Sequence, residues 1–184
     1  TLGATRSLPN RLERIIGFNA IAAINGNISA CMRSVSKLLP DSGKLVFAEL
    51  IPAQAQLIAD LEPVSRVCSS KSIDALRSAE IAIRDSHELP EFARTDQAIV
   101  KSIVAGGLVV ESLQTEQFSE ARHLTAANVS AWLSPGNDGT PYANLLAKHA
   151  GAKTVTDIRD ALIASLDDAP VKWKRSVAFI SATR

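Results

Sequence analysis

The sequence predicts an all-α fold, an irregular bundle of seven or eight helices around a central apolar helix at about 15–38. Three observations carry this. Apolar residues recur at steps of three and four through most of the chain, the period of a helix face. The stretch from Ile15 to Met32 holds no formal charge, and a helix with no charged face belongs at the centre of a bundle. Aromatic residues are only 4% of the chain against 46% apolar overall, so the aromatic and β-branched alternation that marks strands is scarce.

Taken in order, Pro9 suits a first helical turn, and Leu12, Ile15 and Ile16 begin an apolar face. The main seam is Ile21, Ile24, Ile28, Cys31, Val35 and Leu38, with a bend expected near Gly17 where the two faces fall out of line. Pro40, Asp41, Ser42 and Gly43 read as a turn. From Lys44 a helix resumes, is interrupted at Pro52, and continues through Leu57, Leu61, Val64 and Cys68, with Pro63 expected to kink or end it. Ser72 reads as the N-cap of a helix over 73–86, facing inward with Ile73, Leu76, Ala79 and Ile83.

After a loop at 87–90, Thr95 and Asp96 open a helix whose face is Ile99, Ile103, Gly106, Val110 and Leu113. Gly106 and Gly107 weaken it by about 1 kcal/mol each. They read as the close approach of a neighbouring helix, a strand over 107–110 being the local alternative. Two short helices at 115–123 and 125–133 precede a turn-rich loop at 134–139. Then comes a helix with Thr140 as N-cap, Pro141 first, His149 in its last turn and Gly151 beyond its end. Thr156 caps another, and Trp173, Val177 and Ile180 share a last helical face. One domain over 1–184 is expected, any subdivision falling near 87–95 or 134–140.

At 184 residues, a single core can bury roughly two-thirds to 70% of the unfolded surface. With 20 Lys and Arg against 19 Asp and Glu, the net charge is +1, which fits neither an acidic disordered chain nor a strongly basic nucleic-acid binder. Asn19, Asn25, Asn27 and Ser29 would be costly in lipid, so the uncharged stretch reads as a core helix and no membrane span is expected. Cys31 and Cys68 lie 37 positions apart without ligand-spaced neighbours; they read as small buried apolar residues of a reducing, cytoplasmic compartment, a single disulfide between them being the alternative.

Catalytic motifs are absent: there is no phosphate-cradling glycine loop, paired-His zinc motif, dinucleotide fingerprint or nucleophile elbow. No cofactor and no metal are expected. His87, with Asp85 and Glu88 nearby, is the candidate general base oriented by a carboxylate. Glu116 and Glu120 fall four apart on one helical face, but no second helix matches them for a di-metal site. Asp157 and Asp160 read as charges favouring a helix N-terminus.

Residues 117–133 carry Ala121 in a first helix, Leu124 and Thr125 at a turn, and Val129, Ser130, Ala131, Trp132 and Leu133 in a second. With Gly139, Pro141 and the run from Leu145 to His149 following, this segment resembles the two-helix unit of phage-repressor-type helix-turn-helix domains. The resemblance implies Phe118, Ala121, Val129 and Trp132 or Leu133 inside, and a recognition helix presenting Thr125, Ala126, Ala127, Asn128 and Ser130 to a major groove. The basic tail with Lys172, Lys174 and Arg175 would add phosphate contacts. His123 stands at the turn position where that family carries glycine, and the second helix holds no Arg or Lys.

The leading functional expectation is therefore a non-catalytic helical interaction or regulatory protein, self-associating or bound to a protein partner, because apolar helical faces are plentiful. A helix-turn-helix DNA-binding regulator using 115–133 is second. An all-α enzyme with a His87-centred site is third.

Overall fold

Lys44–Leu50 reads KLVFAEL, and its burial alternates: Leu45, Phe47 and Glu49 are buried while Lys44 and Val46 are exposed. That is the period of a strand, two residues, and not of a helix. The computed structural model describes residues 12–24, 27–86, 88–167 and 169–184. It corrects the all-α expectation: the described residues form seven α-helices together with a four-stranded mixed sheet. They divide into two compact units, one holding residues up to 51, 94–117 and 176–184, the other 52–93 and 118–175.

The first unit is built on β1 (Arg14–Phe18) and β2 (Lys44–Leu50), which run parallel, Arg14 beside Lys44 and Phe18 beside Ala48. Parallel neighbours need a crossover, and α1 (Ile28–Leu38) supplies it. The predicted central helix at 15–38 is thus a strand followed by a helix. Gly17 lies under the Phe47 ring, where a Cβ would sit 2.5 Å from the ring carbons. Asn19, at φ +48°, turns the chain out of β1; such left-handed geometry is tolerated by few residues other than glycine. The Asn27 side chain then caps α1 by accepting from the Ala30 amide at 3.0 Å.

The last strand, β4 (Val171–Thr183), runs antiparallel to β2, from Leu50 beside Val177 to Lys44 beside Thr183. With β3 (Val109–Arg122) the sheet order is β1-β2-β4-β3. Helices α1 and α4 (Asp96–Ala105) supply Met32, Ile99 and Ile103 to the core of this unit, with Leu45, Phe47 and Ile180 from the strands. Ile16 and Phe18, at the alternate positions of β1, are 79% and 72% exposed.

Gly106 does mark a close helix approach. A Cβ there would lie 2.3 Å from that of Met32 in α1. Gly106 also caps α4, and Gly107 at φ +85° turns the chain toward β3.

Glu49 is 1% exposed, and one of its oxygens accepts from the Ile21 amide at 3.0 Å. Burial pushes its carboxyl above the usual range, against the lowering effect of the Ile21, Ala20 and Ala22 amides and of the Arg94 charge.

The second unit is helical: α2 (Glu62–Val67), α3 (Ser70–Asp85), α5 (Ala126–Leu133), α6 (Pro141–Ala150) and α7 (Ala152–Ala164). Two 3-10 turns at Pro52–Gln54 and Ile58–Asp60 precede them. Its core includes Leu61, Val64, Leu76, Ile83, Val129 and Leu146. Helix α6 keeps its expected punctuation, with Thr140 as N-cap, Pro141 in the first turn, His149 in the last and Gly151 beyond. Elsewhere the caps move. Ser69 rather than Ser72 caps α3, Pro63 stands in the first turn of α2, and Gly151 starts α7 so that Thr156 lies inside it.

The helix-turn-helix expectation is corrected here. Its first helix is strand β3, which continues to Arg122, so only α5 of the two-helix unit exists. Glu116 and Glu120 are accordingly strand residues, and the carboxylate pair on a helical face does not form. Trp173, Val177 and Ile180 lie in β4, not on a helix. The sheet also removes the premise of the helical interaction or regulatory reading, which rested on a bundle of spare apolar helix faces.

Candidate functional site

A cavity of about 380 Å³ opens in the helical unit. Its walls come from the 3-10 turns, α3, the segment after α3, α5, the start of α6 and the first part of β4.

Helix α3 positions the polar floor. Its expected inward face of Leu76, Ala79 and Ile83 is buried, and Glu80 beside it is 1% exposed. A buried carboxylate must find donors, and Glu80 finds three. Its Oε1 accepts from the Ile58 amide at 2.8 Å and from the Tyr142 hydroxyl at 2.8 Å, while Oε2 accepts from the Ala59 amide at 2.9 Å. It thus clamps the N-terminus of the 58–60 turn to α3 and orients the ring of Tyr142.

One turn on, Arg84 donates to the carbonyls of Ala53 and Gln56 at 3.2 and 3.4 Å, holding the other wall. Gln56 in turn fixes β4: its Oε1 accepts from the Lys174 amide at 2.8 Å.

Burial raises the Glu80 carboxyl above its usual range, opposed by the Ala59 and Ile58 amides, the Tyr142 hydroxyl and the Arg84 charge. Tyr142 is raised too, first by burial, then by the charge and hydrogen bond of Glu80, with Arg84 acting against them. Titratable groups perturbed inside an apolar concavity mark binding and catalytic sites more often than bland surface.

Rings make up much of the remaining wall. Phe92 stacks on Tyr142, centroids 4.9 Å apart at 19°. Trp132 of α5 meets Trp173 of β4 at 5.3 Å and 34°, and the Arg122 guanidinium carbon sits 5.5 Å from the Trp173 centroid. Arg122 and Arg175 both pair with Glu120. Thr140 also lines the cavity, its hydroxyl accepting from the Ala143 amide and donating to the Ala131 carbonyl at 3.0 Å.

Of the residues singled out for nucleic-acid contact, Thr125 caps α5, Ala126, Ala127, Asn128 and Ser130 lie in it, and Lys172, Lys174 and Arg175 lie in β4, the two elements meeting at Trp132 and Trp173. Thr125 and Asn128 form the reciprocal capping box of α5, each side chain bound to the other's backbone amide. Ala126 and Ala127 are exposed, Ser130 is half-buried, Lys172 and Lys174 are exposed on β4, and Arg175 is engaged by Glu120. His87 lies outside the described residues.

Asp157 and Asp160 do not stand at a helix N-terminus: α7 begins at Ala152 with no acid in its first turn, and the two lie inside it, Asp157 paired with Lys153 and Asp160 with Arg159. Cys31 and Cys68 are both half-buried and unbridged, the Cys68 thiol pushed up by burial. Among the described residues no cluster of three metal-ligating side chains forms, and no helix is long and apolar enough to cross a membrane.

Glu80, Arg84, Phe92 and Tyr142 went unnoticed in the sequence. The available signal was the pair Glu80 and Arg84, four apart, on a face otherwise apolar.

No protein-family model matches the chain. No curated protein matches it. Among solved structures, its fold is similar to that of a "putative methyltransferase" from Bacillus halodurans C-125, with a TM-score of 0.44 and 10% identity over 95% of this chain and 64% of that one. It is also similar to the [4+2]-cyclase SpnF, with a TM-score of 0.38 and 14% identity over 97% of this chain and 52% of that one. The chain thus spans less than two thirds of the length of either.

Proposed function

We propose that this protein binds a small organic molecule in the cavity of its helical unit, in the manner of the substrate pocket of an α/β enzyme. The observation that carries the reading is a cavity of about 380 Å³ floored by a clamped Glu80, Tyr142 and Arg84 and walled by apolar side chains. Substrate pockets have this composition, mostly apolar with a few fixed polar groups. The β1-α1-β2 crossover and mixed sheet belong to a fold class that hosts many small-molecule enzymes, so the enzyme half of the reading is an analogy of fold and the cavity carries the binding half. Cys31 and Cys68, unbridged, support a reducing cytoplasmic setting.

The test is to incubate the protein with a metabolite extract and identify retained molecules by mass spectrometry. Ala131 lines the cavity with its side chain exposed, so Ala131→Phe fills the space while keeping the carbonyl that Thr140 uses. Molecules held by the wild type and lost from a folded Ala131→Phe support the reading. Retention of nothing, or of the same molecules by both proteins, overturns it.

A further inference from the structure

The chain has two tryptophans, one tyrosine and five phenylalanines. Both tryptophans, the tyrosine and Phe92 line the single cavity described above. Four rings in one small wall far exceed what a chain with 4% aromatic content would place there by chance. Two ring pairs are already formed, Phe92 on Tyr142 and Trp132 against Trp173, with centroids 4.9 and 5.3 Å apart. Spacings in this range are those at which rings attract through their quadrupoles beyond simple burial.

The charge lining the cavity narrows the ligand further. Arg84 is the one basic residue among the described residues of the wall, and its charge acts on the buried Glu80. Glu80 spends its oxygens on Ile58, Ala59 and Tyr142. Arg84 gives two of its five N–H groups to Ala53 and Gln56. Glu91, the other acid of the wall, is exposed to solvent. The described interior therefore sets its one cation against a buried carboxylate, and an ionised ligand would lose its hydration for a partner charge already shared with the opposite one.

We infer that the cavity takes a flat, uncharged aromatic molecule of one or two rings, bearing a hydroxyl or carbonyl for the polar floor. This rests on the reading of the cavity as a binding site and adds the class of molecule.

The experiment is calorimetric titration of the full chain with four compounds of one size: 2-naphthol, its saturated counterpart decahydro-2-naphthol, 2-naphthoate and 2-naphthylmethylammonium. The expected result is that 2-naphthol binds at least tenfold more tightly than each of the other three, and that Phe92→Leu removes most of this preference. Equal or tighter binding of the saturated alcohol overturns the aromatic assignment, and tighter binding of either ion overturns the uncharged one; both leave the cavity a binding site. Binding of none of the four overturns the ligand class together with the site. Should Phe92→Leu fail to fold, Ala131→Phe takes its place, and unchanged 2-naphthol affinity in that folded variant places the compound elsewhere and overturns the inference.

Discussion

The Tyr142 hydroxyl donates to Oε1 of Glu80 across 2.8 Å, joining the first turn of α6 to the middle of α3 over 62 positions of sequence. Because Glu80 also receives the Ile58 and Ala59 amides, this one carboxylate fixes three elements of the helical unit around the cavity.

Removing the hydroxyl tests that relationship. Tyr142→Phe keeps the ring on Phe92 and leaves Glu80 one donor short, a loss of about 0.5–1.5 kcal/mol for a neutral bond and up to about 3 kcal/mol where the acceptor is charged. Urea denaturation of the folded variant measures it, and a midpoint equal to that of the wild type would show the bond to be idle. Because the Tyr142 hydroxyl lowers the Glu80 carboxyl, the variant should hold its proton to still higher pH.

Two buried carboxyls set a pH dependence. Glu49 and Glu80 are both raised above the ordinary value of 4.5 by burial. A group with a higher pKa folded than unfolded binds more protons in the folded state, so its contribution to stability falls as pH rises from the unfolded pKa and levels off above the folded one. For these two groups, stability is greatest at and below about pH 4.5 and declines above it. Denaturation midpoints for the wild type, Glu49→Gln and Glu80→Gln at several pH values check the sign. Each variant should lose stability at all pH values, since an amide offers one acceptor where a carboxylate offers two, and should show a shallower decline. A decline equally steep in both variants would refute the assignment.

Gly106 and Gly107 separate two uses of glycine. A Cβ at Gly106 would lie 2.3 Å from the Met32 Cβ and 3.0 Å from its carbonyl carbon, neither the movable end of a side chain. At Gly107 a Cβ meets nothing within 4 Å, and only its φ of +85° resists substitution. Gly106→Ala should therefore cost about 1–3 kcal/mol through overpacking of α1 against α4, and Gly107→Ala about 1–2 kcal/mol through backbone strain. A cost at Gly106→Ala below about 1 kcal/mol in denaturation would show that the close approach is not what selects glycine at 106.

These glycines also show what the sequence makes legible. Thr140, Pro141 and Gly151 bound α6 because capping and φ preferences act within a few residues, and the inward face of α3 follows from a local period. Strands depend on partners that local pattern does not contain. Val109–Arg122 is mostly exposed and rich in Glu, Gln and Ser, so no buried face alternates along it, and its place at the edge of the sheet decides it. In β4 the buried side passes from odd positions, Val171, to even ones, Ser176, Ala178, Ile180 and Ala182, which disguises the period of two. The site was illegible for a related reason: Glu80, Phe92, Trp132, Tyr142 and Trp173 meet only through tertiary packing.

Strand β1, where a central helix is expected from the sequence, has a testable consequence. On a helix, neighbouring residues lie about 100° apart, so Ile15 with Ile16 and Leu45 with Val46 would sink into a core together. On a strand they point to opposite faces. Leu45 is fully buried among Met32, Phe47 and Ile180, and Ile15 packs against the same cluster, while Val46 is 39% and Ile16 79% exposed. Leu45→Ala should cost about 2–5 kcal/mol, and Ile15→Ser should also destabilise. Ile16→Ser and Val46→Ser, on the open face, should stay within about 0.5 kcal/mol of the wild type. Chemical denaturation of the four variants reads the alternation directly. Equal losses at Ile15 and Ile16 would restore a helical face there and remove β1 from the fold.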